Sequence, residues 1–223
     1  MKPRFHDRYD AGRMLASLLD RFAHDPRVIV LALPRGGVPV ALEVARALDV
    51  PFDILTVRKL GVPGQEELAM GAVASGGVRV LDDGLIRELH VNEQAIEAIT
   101  QRERQELARR ERVYRGDRPF PDLQGRAVII VDDGLATGST MRAAILAVRR
   151  ANPAWIVAAS PVGSRAVCAS LGSIADEAIC YSTPVGFQAV SESYDDFGQT
   201  TDAEILALLA DASASSPASD LPR

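Results

Sequence analysis

VIIVDDGLATGST, residues 128–140, sets four apolar residues before two adjacent carboxylates, a short link and a Thr-Gly-Ser-Thr turn. The pattern reads as the end of a buried strand that runs through a loop into a helix. Such a loop leaves backbone N–H groups without intrahelical partners at the helix start, where the dipole favours an anion. Gly138 lets a phosphate come close, and Thr137, Ser139 and Thr140 add hydroxyl donors. Asp132 and Asp133 suit a different task. They can accept hydrogen bonds from neighbouring sugar hydroxyls, or help to hold a hard cation through oxygen. One short loop can therefore grip a sugar phosphate at both ends. Other phosphate loops fit less well: no lysine follows Gly138, as a Walker A loop requires, and no G-x-G-x-x-G occurs in the chain.

Composition narrows the class. With 223 residues, 47% hydrophobic and 25% charged, the chain has the makeup of an ordinary globular protein able to bury a substantial core. A formal charge of -5 argues against broad nucleic-acid binding, which needs a positive surface. The N-terminal stretch MKPRFHDRYDAG lacks the apolar centre of a signal peptide, and no apolar run approaches bilayer-spanning length. A cytoplasmic protein with no membrane contact is expected. Cys168 and Cys180 form no metal-type spacing and are expected to be buried thiols rather than a disulfide.

Around the opening stretch the chain alternates strands and helices. A helical repeat over 11–22 precedes the apolar run 28–33 (VIVLAL), which reads as a strand covered on both faces. The turn Pro34-Arg35-Gly36-Gly37 leads to a helix over 38–48, then a strand over 52–57 that ends at Arg58-Lys59. The Gly, Pro and polar content of 60–68 predicts a mobile loop, and 69–74 and 78–81 a hairpin joined at Ser75-Gly76-Gly77. Asp82 or Asp83 can cap a short helix through Leu89, and Asn92 a longer one to about Tyr114. The charged run 100–112 in that helix reads as a solvated face braced by ion pairs, with a dimer surface or a ligand-facing wall as alternatives. Helices over 139–150 and 165–171 alternate with strands over 155–159 and 177–181. A loop rich in aromatics, 183–201, precedes a last helix over 202–209. The small, polar tail 211–223 is expected to be disordered. This rhythm implies right-handed crossovers and a parallel sheet, with ligands at the carboxyl ends of its strands. Both Gly-containing turns fall at such ends.

The thirteen residues 128–140 closely resemble the phosphoribosyl pyrophosphate signature of the type I phosphoribosyltransferases. Further stretches are similar to a bacterial group of phosphoribosyltransferase-domain proteins: Phe5-His6-Asp7-Arg8, Ala11-Gly12, Leu33-Pro34-Arg35-Gly36-Gly37, Val57-Arg58-Lys59, Arg109-Arg110 with Tyr114-Arg115, and Tyr194-Asp195-Asp196-Phe197-Gly198. The resemblance implies a three-layer α/β fold with a mainly parallel twisted sheet, a small hood and a helical insertion. It would form one domain over 1–210, the insertion at 82–118 and the hood or acceptor loop at 183–201.

It also implies magnesium-dependent transfer of a phosphoribosyl group from phosphoribosyl pyrophosphate to a nitrogenous base or related acceptor. A sensor that binds the donor without turnover is the alternative, and a homodimer is compatible with either. On this reading Ala136, Thr137, Gly138, Ser139 and Thr140 cradle the 5-phosphate, while Asp132 and Asp133 hold the ribose and Mg2+. Pro34, Arg35, Gly36 and Gly37 meet the pyrophosphate, with a non-proline cis peptide expected at Pro34-Arg35. Lys59 is a second candidate for the leaving group, or equally a snorkelling surface lysine, and 60–68 would be the flexible lid. Arg35, Lys59, Asp132 and Asp133 are the catalytic candidates. Members that use 6-oxopurines carry an aspartate where this chain has Ala136, which disfavours hypoxanthine and guanine. In the hood, Phe187, Tyr194 and Phe197 can stack on a ring and Asp195 or Asp196 accept from it, unless these aromatics pack a small subdomain instead. His6, His24 and His90 lie outside both turns and are expected to be surface or packing residues.

Overall fold

The structure, a computed structural model, describes residues 4–215. In chain order its elements begin with α1 (Arg8–Ala16), β1 (Val28–Ala32), α2 (Gly37–Leu48) and β2 (Phe52–Ile54). The strands β3 (Val57–Val62), β4 (Gln65–Ala74) and β5 (Val78–Leu81) follow, then α3 (Asp83–Glu88) and α4 (Glu93–Arg115). The second half comprises β6 (Ala127–Val131), α5 (Ser139–Arg149), β7 (Trp155–Val162), α6 (Arg165–Leu171), β8 (Glu177–Ser182) and α7 (Asp202–Ser215).

Five strands form a parallel sheet in the order β2-β1-β6-β7-β8. Every residue of β1 is buried because both faces of the sheet are covered. Val28, Val30 and Ala32 face α1, α2 and α7, whereas Ile29, Leu31 and Leu33 face α5 and α6. The result is the three-layer arrangement expected. From β1 the chain crosses by α2 to β2 on one side, and from β6 it crosses by α5 to β7 on the other. The strand order therefore reverses between β1 and β6, which is where open α/β sheets bind ligands. Among the described residues no helix is long and apolar enough to cross a membrane.

A second, antiparallel sheet, β3-β4-β5, corrects one expectation. The segment 60–68 is a hairpin rather than a loop: β3 turns at Pro63 and Gly64, where Gly64 has φ 77°, and pairs back along β4. Its glycines serve the pairing. A Cβ on Gly61 would stand 2.6 Å from the Glu66 carbonyl oxygen, and the register slips on both sides of Gly61. Consequently β2 stops at Ile54, and Lys59 lies inside β3 opposite Ala72 rather than at a strand end.

Asn92 caps α4 through a 2.8 Å bond from the Ala95 amide. The charged run in that helix is only partly a solvated face. Ile96, Thr100, Glu103 and Leu107, at helical spacing, are buried, and Leu107 and Ile96 join Leu60, Val62, Met70 and Val73 in a separate core. Glu103 is buried because Arg58 of β3 meets it at 2.6 Å. On the exposed side Glu106 pairs with Arg109 and Arg110. At the helix end Arg115 bonds Asp53 at 2.5 Å and the Ile54 carbonyl at 2.7 Å, tying the insertion to β2.

Two further expectations fail. Cys168 of α6 and Cys180 of β8 form a disulfide, their Cα atoms 6.4 Å apart, instead of remaining thiols. Their separation of 12 along the chain did not reveal that α6 turns its cysteine onto the strand that follows. The last helix does not end at Leu209: α7 continues through 211–215, where two alanines favour helix. The rest of the expected disordered tail, 216–223, lies outside the described residues.

Leu107→Ala should cost about 2–5 kcal/mol, because Leu107 fills the contact between α4 and the antiparallel sheet and is 5% exposed. Urea unfolding measures this, and a loss below ~1 kcal/mol would mean that α4 is not packed as described.

Candidate active site

The parallel register aligns Ala32 with Val131, so β1 and β6 end at the same level. The Leu33 amide continues the pairing to the Val131 carbonyl at 2.9 Å. Their outgoing turns are thereby forced together. Around this junction the Pro34–Arg35 peptide is cis, as the resemblance implied. A Cβ on Gly36 would fall 1.9 Å from Asp133 Oδ2, and one on Gly37 2.8 Å from the Val131 carbonyl oxygen. Glycine is needed at both positions because no side chain fits between the turns. Arg35 is exposed and its guanidinium has no hydrogen-bond or ion-pair partner among the described residues, while its positive charge acts on Tyr114 of α4.

The loop after β6 is stitched to β7 and α6. Leu135 donates to the Val162 carbonyl at 2.8 Å, and Ser164 donates to that of Leu135 at 3.2 Å. Gly138 takes φ 70° at the start of α5, and its carbonyl accepts from the Arg142 amide at 2.8 Å. Thr137 and Ser139 hydroxyls lie 3.1 Å apart. Among the described residues no acceptor meets the amides of Ala136, Thr137, Gly138 or Thr140. Ala136, Thr137 and Thr140 face solvent. This is an open helix start with unsatisfied donors, suited to an anion. Two cavities of about 240 and 400 Å3 lie elsewhere, the first beside Phe120 and Val148, the second beside Arg27 and Trp155.

The acids are half-buried at the junction. Asp133 accepts from Arg8 Nε at 2.8 Å, and its amide donates to Asp132 Oδ1 at 2.9 Å. Burial pushes the pKa of both carboxyls above the usual range; the Asp133 charge adds to the rise at Asp132, while Arg8 opposes it at Asp133. Two close carboxylates with these shifts favour a proton donor, a sugar hydroxyl or a cation between them.

Arg8 was not singled out from the sequence as a site residue, and Tyr194 only as a residue able to stack on a ring. Tyr194 donates its hydroxyl to the Asp133 carbonyl at 2.6 Å. Arg8 also donates to the Gly198 carbonyl at 2.7 Å and lies 4.0 Å from the centre of the Phe197 ring. The only sequence signal for Arg8 was membership of the wider resemblance. The segment 183–201 thus reaches the acid pair, and Val190 closes directly over Gly134.

Tyr194 and Phe197 are used in packing, the alternative to stacking on a ligand. Tyr194 is 2% exposed, and its ring centre lies 5.4 Å from that of Phe5 and 4.9 Å from that of Phe197. Phe187 is partly buried at the edge of the same cluster. Asp195 pairs with Arg4, and Asp196 accepts from the Gly198 amide. Lys59 has Glu67 at 4.0 Å and, among the described residues, no ion pair with either turn.

Residues 6–171 match the family model described as a phosphoribosyl transferase domain. The chain belongs to that family. Two Mycobacterium tuberculosis proteins, from strains H37Rv and CDC 1551, each named "Putative phosphoribosyl transferase", are 46% identical to it over 205 residues. The alignment takes in 92% of this chain but 46% of theirs, so the chain spans about half the length of the curated relatives it matches. The crystal structure of TT1426 from Thermus thermophilus is 41% identical, with a TM-score of 0.85, over 93% of this chain and 98% of that one. The α/β architecture is therefore that of a phosphoribosyl transferase domain. The family match includes both turns and stops before β8 and the hood segment.

Gly37→Ala should lower stability by about 1–3 kcal/mol, since its methyl group meets backbone rather than a movable side chain. It should also weaken inorganic phosphate binding by disturbing the adjoining loop. Thermal unfolding and calorimetry test this; an unchanged Tm would show that the two turns do not abut.

Proposed function

We propose that the chain is a phosphoribosyltransferase, a pentosyl group-transfer enzyme that takes phosphoribosyl pyrophosphate as donor and passes its phosphoribosyl group to a nitrogenous base or related small-molecule acceptor. One observation carries the reading: two turns from adjacent parallel strands meet at Gly36 and Asp133, one bearing Arg35 and the other four amides without acceptors. Such a site matches a ligand with phosphate groups at both ends of a sugar. The loop 136–140 takes the 5-phosphate, Asp132 and Asp133 take the ribose hydroxyls, and Pro34, Arg35, Gly36 and Gly37 meet the pyrophosphate.

The acid pair fits magnesium. No group of three or more metal-type side chains occurs among the described residues, and Mg2+ is usually held by one or two carboxylates together with substrate phosphates. Asp132 and Asp133 would hold it, and when bound it would neutralise charge on the departing pyrophosphate. Arg35 serves the same end from the other turn. Displacement at C1 of the ribose builds negative charge on the leaving group, and a cation beside it favours that state over the ground state. No side-chain nucleophile is required. The acceptor enters from the hood side, where Phe187 remains the aromatic candidate. Ala136 disfavours 6-oxopurines. A donor-binding sensor would keep the 136–140 loop but need not retain Arg35 beside it.

Incubation with donor, magnesium and a panel of bases should release pyrophosphate with at least one base; tight donor binding without turnover on any of them supports the sensor instead. Asp132→Asn should weaken donor binding by about 10- to 100-fold with the fold intact, and unchanged affinity in calorimetry would sink the assignment. Arg35→Ala should lower turnover by about a hundredfold while ribose 5-phosphate binds nearly as before. Equal losses in the two measurements would contradict its role at the leaving group.

A further inference from the structure

We propose that Arg8 is a positioning residue that locks Asp133 and couples the hood segment to the donor loop. This rests on the phosphoribosyl pyrophosphate reading above. Arg8 lies at the start of α1, far in sequence from the residues it joins. Its Nε donates to Asp133, its Nη1 to the Gly198 carbonyl, and its guanidinium plane covers Phe197. With the side chains of Arg8 and Asp133 only 11% and 15% exposed, the guanidinium is enclosed by these three contacts and acts through Asp133 rather than on a ligand.

The geometry gives the pair a task beyond packing. Asp133 Oδ2 is pressed against Gly36, so the carboxylate that Arg8 holds also sets the spacing of the two anion-binding turns. Without the guanidinium there, two adjacent half-buried carboxylates repel and nothing holds Asp133 Oδ2 in its place against Gly36. Tyr194 fixes the backbone of the same residue through its 2.6 Å bond. Hood and donor loop thus share Asp133. A planar, forked cation suits this place better than an ammonium, because it must stack on a ring and donate in two directions at once.

The test compares the native full chain with Arg8→Met, Arg8→Lys and Tyr194→Phe. Calorimetry measures binding of phosphoribosyl pyrophosphate with magnesium, and separately of inorganic phosphate, which needs only the 136–140 loop. Arg8→Met is expected to lose about 10- to 100-fold in donor affinity and keep its phosphate affinity. Arg8→Lys should recover part of the loss. Donor binding should slow hydrogen exchange at the amides of 194–198 in the native chain and not in Arg8→Met. Native donor affinity in Arg8→Met overturns the inference, and so does a parallel fall in both affinities together with Tm, which marks a purely structural role. Should Arg8→Met fail to fold, Tyr194→Phe must show the same split at smaller size; no split there overturns the inference too. If the native chain binds phosphate but no donor, the functional reading falls and takes this inference with it. Donor binding that ignores Arg8 removes the inference alone.

Discussion

The contact between the turn after β1 and the loop after β6 is the constraint on which the site depends. It arises from sheet register: Ala32 and Val131 are paired, so two chains leave adjacent parallel strands at one level and must pass within contact distance. Only residues without a Cβ can occupy the near side of that crossing, and Gly36 and Gly37 do so. What results is a single surface with two kinds of anion partner, a lone guanidinium on one turn and open amides at a helix start on the other.

Electrostatics explains why a third element is recruited. Adjacent carboxylates at a half-buried junction are costly, since each loses hydration and repels the other. The rise in both pKa values has burial as its first cause. Arg8 offsets part of that cost from α1, and the hood closes over the pair through Tyr194 and Phe197. The N-terminal segment and the hood are themselves paired: Phe5 donates to the Ser193 carbonyl at 2.8 Å and accepts from the Asp195 amide at 2.9 Å. Segments from both ends of the described chain are thus held against the centre of the sheet.

The antiparallel sheet with α3 and α4 has a core of its own, while Ala74 and Val80 also pack into the apolar layer of α5, and polar contacts tie the end of α4 to the main sheet. Arg115 reaches Asp53 and Ile54 at the end of β2, and Tyr114 donates to Asp202 at the start of α7 with a 2.7 Å bond. Burial and that bond push the Tyr114 hydroxyl up to about 12, so it stays a donor across the neutral range. This places the end of α4 close enough to Arg35 for their charges to interact, so it borders the pyrophosphate side of the proposed site.

Local pattern alone determined the alternating strands and helices, a cap at Asp82 or Asp83 and one at Asn92, and the two glycine turns, because continuous apolar runs, capping side chains and glycines act over a few residues. It misread 60–68, since Gly and Pro mark a hairpin turn and bulge as readily as a loop. The disulfide, the buried Glu103, and the packing of Tyr194 and Phe197 were settled only in three dimensions. So was the place of Arg8 beside Asp133, 125 residues away. Charge pairing and thiol pairing depend on which surfaces the sheet brings together, and a linear pattern of residue types does not encode that distance.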